Sequence, residues 1–314
     1  MKSDRKPAAL VLLNPAAHGG RARALWSRVS TVATRHIDPL LVEAGSGESL
    51  QATVKQAVAE GIRVYIAAGG DGTVNMLLNA LMQSRNGHDL GDFTVGSVGL
   101  GSSNDLHKPN NTVISGIPVK TDPRAAAKRD VCLARYTAAD GSRHERHFIV
   151  SASMGATAEA NAFFNTGNRI QRWLKAQCTQ MAICYAALRT ILRYRNIPAR
   201  LNIDGKHLEV DMINLSVLKT PYLCGSFRFD TPVSSDDGLL AVNLCAGLGK
   251  PATLAAFANL ARGRFKGLPG RKHWQASSLT VYPECPAALE LDGEVCTIKK
   301  VEFRVLEERI CECR

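Results

Sequence analysis

The stretch "IRVYIAAGGDGTVNMLL", Ile62 to Leu78, limits the fold more than any other part of the chain. A short apolar run of strand character stops at Gly69, Gly70, Asp71 and Gly72, and apolar residues at helical spacing follow at once: Val74, Leu77, Leu78 and Leu81. At a strand-to-helix junction, glycines let the backbone approach a ligand, and the first amides of the helix attract anions. Asp71 needs its own explanation. A carboxylate among donors aimed at phosphate repels the ligand unless Mg²⁺ sits between them or the carboxylate takes a proton from a nucleophile, and both are phosphoryl-transfer roles. Taken alone, the turn reads equally well as a tight turn capped by aspartate.

The alternation of short apolar runs with helical patterns extends over about the first 125 residues, which predicts βαβ units and a mostly parallel sheet. "ALVLLN", "PLLVEA", "IRVYIAA" and "FTVGSV" read as strands, and "RARALWSRVSTVATR" and "ESLQATVKQAVAEG" as helices between them. From about Asp130 the pattern changes to separated strands divided by turn signals such as "DG" and "PE", as in an antiparallel β-sandwich. A helical insertion at about 159–195 interrupts it, and "PATLAAFANLARG" reads as one more helix. The predicted fold is therefore an α/β N-terminal nucleotide-binding domain with a mostly parallel sheet, residues 1–128, and a C-terminal antiparallel β-sandwich domain with a helical insertion, residues 129–300. The segment 301–314 is a candidate to return to the first domain.

At 314 residues the chain suits two cores rather than one. The N-terminal segment "MKSDRKPAALVLLNP" has an apolar run too short for a signal-peptide core or a membrane span. Nine cysteines form no CxxC pair and no regular framework, which predicts reduced thiols in a cytoplasmic protein, with the terminal "CEC" read as a frayed tail in preference to a metal-binding pair. The net charge of +11 welcomes an anionic partner: nucleic acid, a membrane surface or a phosphorylated substrate.

Three further segments stand at matching positions: "LLNPAAHGGRARA" after the first strand, "GLGSSNDLHK" after the fourth, and "DGLLAV" with "ELDGEV" in the second half. Together with the GGDGT turn they resemble the diacylglycerol kinase catalytic domain family, which holds bacterial lipid kinases and sphingosine and ceramide kinases, over nearly the whole chain. The resemblance implies that Asn14, Gly19, Gly20 and Arg23 help bind ATP, that Gly69, Gly70, Gly72 and Thr73 cradle its phosphates, and that Ser102 and Asn104 complete the pocket. It implies that Asp71 acts with Mg²⁺ and ATP. Glu294 is implied as the general base on the lipid hydroxyl, with Asp292 beside it in the site, and Asp237 as a ligand of a structural Mg²⁺. The family's glutamate in GGDGTxNE is replaced here by Met76, its GTGND glycine by Ser103, and a second metal-binding aspartate by Ser234.

Two basic stretches lie in the second half. Residues 160–203 contain Arg169, Arg172, Lys175, Arg189, Arg193, Arg195 and Arg200 and no acidic residue, while "ARGRFKGLPGRKHW" carries Arg262, Arg264, Lys266, Arg271 and Lys272. Each reads as a solvated face or, with Phe163, Phe164, Trp173 and Leu174 in one and Phe265, Leu268 and Trp274 in the other, as a segment that meets an anionic membrane surface. The expectation is an ATP-dependent lipid kinase acting on a lipid alcohol, with its active site in the cleft between the domains, peripherally bound to membrane, with no nucleic acid partner and its oligomeric state open. An NAD kinase-like enzyme and a non-enzymatic basic nucleotide or nucleic-acid binder remain as alternatives.

Overall fold

The computed structural model describes residues 6–45, 47–109 and 112–314, so the first five residues of the N-terminal reading lie outside the described residues. The chain divides into two compact units, Met1–Val131 with Glu307–Arg314, and Cys132–Leu306.

In the first unit four strands run parallel in the order β2-β1-β3-β4, with β1 Ala8–Leu13, β2 Asp38–Glu43, β3 Val64–Gly69 and β4 Thr94–Gly99. Strand β3 is buried along its whole length, as expected of a parallel strand covered on both faces. Helix α1, Ala22–Ala33, buries Ala22, Trp26, Val29 and Ala33, a single stripe at helical spacing. Helix α2, Gly47–Ala59, buries Leu50, Val54, Ala57 and Val58 in the same manner. Helix α3, Asp71–Ser84, starts directly after Gly70, takes Gly72 into its first turn, and buries Val74, Leu77, Leu78 and Leu81.

The chain's end returns to this unit. Cys311 and Glu312 pair with Thr94 and Val95 of β4, and Cys313 is buried, so the terminal "CEC" is a strand and not a frayed tail. Glu312 is the electrostatic reason: it accepts from Lys120 at 2.8 Å and from Arg129 at 2.7 Å, while Arg309 pairs with Asp130 at 2.8 Å. Two largely buried cations and a largely buried carboxylate would each be costly alone, and the returning strand matches them.

The second unit is antiparallel. One long strand takes two partners in succession: Lys206–Leu218 pairs through Lys206–Met212 with Ile197–Ile203 and through Asn214–Leu218 with Ser151–Gly155, and a bulge between Met212 and Asn214 shifts its register against Leu240–Ala246. The long C-terminal strand does the same, pairing Glu294–Ile298 with Ala287–Leu291 and Val301–Arg304 with Ser278–Val281. Between the layers lies an apolar core that includes Phe148, Met154, Leu215, Leu289 and Phe303. Ile197–Ile203 alternates buried and less buried positions, which is the period-2 pattern of a strand covered on one side.

Between Gly155 and Ile197 stand three helices: α4, Ala156–Thr166, α5, Arg169–Gln177, and α6, Thr179–Arg193. A fourth, α7, spans Lys250–Ala261. None of the helices, among the described residues, is long and apolar enough to cross a membrane, and all nine cysteines are free thiols.

Candidate active site

Asn14, at the end of β1, joins two of the turns picked out in the sequence. Its backbone N–H donates to the Ala68 carbonyl at 3.0 Å, its side-chain Nδ2 donates to Thr73 Oγ1 at 3.1 Å, and its Oδ1 accepts the Ala16 N–H at 3.1 Å. The next residues, His18, Gly19 and Gly20, all have positive φ, at 53°, 65° and 88°. The Gly20 N–H donates to the Ala16 carbonyl at 3.3 Å and the Arg21 N–H to the His18 carbonyl at 3.4 Å, so this left-handed stretch closes on itself as a tight turn. Arg23, expected to touch the nucleotide, instead donates to both carboxylate oxygens of Glu43, at 2.7 and 2.6 Å. That pair is solvent-exposed, so its net contribution is small and a phosphate can compete for the guanidinium.

The GGDGT turn and the GSSND turn are built into each other. A Cβ placed on Gly101 would stand 2.4 Å from the Cα of Gly70, so only two glycines let the backbones pass this closely. The Asp71 carboxylate accepts the N–H of Asp105 at 2.9 Å through Oδ2 and that of Leu106 at 3.2 Å through Oδ1. Thr73 is buried and receives the Asn14 amide. Asn104 has a left-handed backbone, φ 50°, and folds the second turn on its own side chain: Oδ1 accepts from Gly101 N at 3.0 Å, and Nδ2 donates to the carbonyls of Gly99 and Gly101 at 3.1 Å each. Its amide is committed to the turn, while Ser102 is exposed beside it.

Two residues of this turn went unassigned in the sequence. Asp105 is buried and pairs with Lys108 at 2.6 Å. His107 lies beneath the turn, 3% exposed, with Nε2 3.0 Å from Ser97 Oγ. Burial, aided by the nearby Lys120 ammonium, pushes its pKa down to about 3, so the imidazole is neutral and supplies no cation for phosphate. The run of alternating small and polar residues around both positions carries no periodicity, and only the fold reveals their burial.

In the second unit, the hairpin of Ala287–Leu291 and the strand starting at Glu294 carries three carboxylates with separate tasks. Asp292, 1% exposed with φ 47°, accepts the backbone N–H groups of Ile149, Val150 and Ser151 at 3.0, 3.0 and 2.8 Å. It is a structural clasp, and its oxygens are turned into the protein rather than toward a ligand. Glu290, also buried and absent from the sequence reading, accepts the Ser153 hydroxyl at 2.7 Å and the Gly293 N–H at 2.5 Å. Asn161 of α4 donates to the Gly293 carbonyl at 3.3 Å. Glu294 follows the turn on an exposed position, opposite Leu291.

The donor sets can be tested against Mg²⁺. Mg²⁺ keeps several waters and needs only one or two protein carboxylates when substrate phosphates complete its shell. Asp71 fits that pattern: it is a single carboxylate, oriented by the backbone N–H groups of Asp105 and Leu106, at the N-terminus of α3. At Asp237 the cation is supplied by the chain. The fully buried Lys219 ammonium donates to Asp237 Oδ1 at 2.9 Å and to the Leu239 carbonyl at 2.8 Å, and Ser234 turns to Asp236 at 2.7 Å. This donor set does not suit a further metal ion, since the ammonium already neutralises Asp237 and Ser234 is bonded to the neighbouring Asp236. Among the described residues no group of three or more His, Cys, Asp or Glu is placed to hold a metal.

The basic stretches also separate. Trp173 is exposed, but Leu174 is buried and Phe163 and Phe164 are half-buried. In the other stretch Phe265 is buried against Phe229, with ring centroids 5.0 Å apart, and Leu268 and Trp274 are half-buried.

Residues 8–130 match the diacylglycerol kinase catalytic domain, and residues 150–310 match the YegS C-terminal NAD kinase beta sandwich-like domain. The chain is 25% identical over 284 residues to a diacylglycerol kinase of Mycobacterium tuberculosis, covering 88% of this chain and 84% of that one. It is 26% identical over 265 residues to a protein of Xanthomonas oryzae named "Probable lipid kinase YegS-like", covering 82% and 80%. Its fold is similar to that of a diacylglycerol kinase from Bacillus anthracis, with a TM-score of 0.65 at 17% identity over 98% and 96% of the chains. Likeness to a yeast NADH kinase is more distant, with a TM-score of 0.51 at 11% identity over 98% and 84%.

Proposed function

We propose that this chain, which belongs to the diacylglycerol kinase family with its catalytic domain followed by a YegS-type β-sandwich, transfers the γ-phosphoryl group of ATP to the hydroxyl of a lipid alcohol. The observation that carries the reading is the position of Asp71: a carboxylate at the first residue of a helix, between two glycine turns, held in place by backbone N–H groups of the second turn. A phosphate-binding helix terminus gains nothing from a carboxylate unless a cation comes with the phosphate.

In this reading the triphosphate lies against the start of α3 at Gly70 and Gly72 and the glycine turn at Gly19 and Gly20. Arg23 leaves Glu43 to meet it. Asp71 is the residue that would hold Mg²⁺, and the ion, when bound, would supply charge neutralisation on the transferring group. Asn104 and Thr73 keep the turns rigid, so the donors need no reorganisation during the reaction. Glu294 takes the proton of the attacking hydroxyl. Of the three hairpin carboxylates it is the exposed one, while Glu290 and Asp292 are engaged in holding the hairpin. General-base assistance of this type contributes about 10² to 10⁴-fold.

The acceptor is identified by presenting diacylglycerol, ceramide, a sphingoid base and NAD in parallel with labelled ATP. Label in one of the lipids supports the proposal. Label in NAD alone overturns it and assigns the NAD kinase-like alternative.

A further inference from the structure

We infer that the outer faces of α5 and α6 form the surface by which this protein docks on an anionic lipid bilayer; the inference rests on the proposed lipid acceptor, which resides in such a bilayer. Of the ten large apolar side chains that are exposed among the described residues, five lie on these two short helices. On α5, Ile170 and Trp173 are 53% and 61% exposed, while Gln171 and Leu174 face inward. On α6, Met181, Leu188 and Leu192 are 55%, 50% and 50% exposed, while Ala182, Ala186, Thr190 and Ile191 are buried. Each helix therefore turns one side inward and a second, apolar stripe at helical spacing toward water.

The charge around the outer stripe selects the occupant. Arg169, Arg172, Arg193 and Arg195 are exposed beside it, and no acidic residue occurs from 160 to 203. Lys175 and Arg189 are held over the rings of Phe164 and Phe163, each 4.0 Å from the centroid, which adds cationic character to the inner edge of the patch. A second copy of this face would bring cations against cations, so self-association through it is disfavoured. A nucleic acid would match the charge but not the aliphatic stripe, which offers one exposed aromatic ring and no stacking platform. A bilayer surface matches both: arginines meet headgroup phosphates while Ile170, Trp173, Leu188 and Leu192 enter the acyl boundary. The second basic stretch lacks this combination, because Phe265 is in the core.

The test uses the full chain without nucleotide and phosphatidylcholine vesicles with or without phosphatidylglycerol. Sedimentation with the anionic vesicles only, and a blue shift of tryptophan emission that disappears in Trp173→Phe, are expected. The triple variant Arg169→Gln, Arg172→Gln, Arg193→Gln should bind about a hundredfold more weakly, from about fivefold per surface cation. Leu188→Ser with Leu192→Ser should also release the protein, whereas Arg264→Gln with Lys272→Gln on the other stretch should not. All of these positions are exposed, and unchanged circular dichroism verifies the fold. Failure of the wild type to bind, binding unaffected by the triple variant, or a wild-type dimer that the variants dissociate overturns the inference. Transfer to a short-chain diacylglycerol in detergent micelles is measured separately, so a protein that docks but phosphorylates no lipid refutes the kinase reading and leaves the docking face standing.

Discussion

Asp71 accepts the backbone N–H of Asp105 at 2.9 Å, and this bond ties the start of α3 to the turn after β4. The carboxylate proposed to meet the nucleotide is thus also a clasp of the site that surrounds it. Asp71→Asn keeps the shape but sets an amide donor against the Asp105 or Leu106 N–H. The variant should lose about 1–3 kcal/mol of stability, the cost of a buried donor without an acceptor. Its turnover should fall by about 10²-fold or more, as when a charge-stabilising group is removed. Thermal unfolding and steady-state kinetics on the same preparation separate the two effects, and a variant unchanged in both would show that Asp71 only ends a turn.

Lys219 predicts behaviour toward chelators. Its ammonium is fully buried and bonded to Asp237 and Leu239, so the loop between them is held by a cation that no chelator removes. The melting temperature of the free protein should be the same with and without EDTA. Asp237→Ala, which leaves the ammonium buried without its carboxylate, should cost about 3 kcal/mol or more. A melting temperature that drops on chelation would show instead that a metal ion holds this unit.

The hairpin at residues 290–294 separates structural from chemical carboxylates. Asp292→Ala strands three backbone N–H groups in a buried place and should destabilise the fold by about 3–5 kcal/mol. Glu294→Gln, at an exposed position, should change stability by less than about 0.5 kcal/mol. It should lower the transfer rate by about 10² to 10⁴-fold and leave ATP affinity unchanged. Loss of ATP binding with the turnover number intact would move Glu294 to the nucleotide site.

His107 makes the first unit sensitive to acid. Its folded pKa, about 3, is below the ordinary histidine value, so between the two the unfolded chain binds the extra proton. The contribution is complete above pH ~6.5 and is lost as pH falls toward ~3, at about 1.4 kcal/mol per unit. His107→Gln should be less stable than the wild type at neutral pH and should lose stability less steeply on acidification. Parallel melting curves from pH 7 to pH 4 in both proteins would contradict this.

The sequence made some of these features legible and hid others for physical reasons. The strands β1, β3 and β4 and the helix starting at Asp71 are visible because their apolar spacing is local. The glycine turns are visible because only glycine permits the approach of Gly70 to Gly101. What decides the roles of the polar residues is long-range. Asn104 turns its amide back on its own loop, Asp292 reaches residues 149–151, and Lys219 meets a carboxylate eighteen positions later, none of which leaves a periodic trace. Arg23 stands beside the first turn in sequence, yet its guanidinium pairs with Glu43 at the end of β2. Phe265 reads as an exposed aromatic in a basic run, and only its packing on Phe229, 36 positions earlier, places it in the core.

The most direct measurement is the partition of label after incubation of the protein with γ-labelled ATP, Mg²⁺ and a total lipid extract. The account predicts label in the organic phase with wild-type protein and, with Asp71→Asn, label reduced by about 10²-fold or more. Label that stays in the aqueous phase with wild-type protein, or that reaches the lipid equally well with Asp71→Asn, would contradict it.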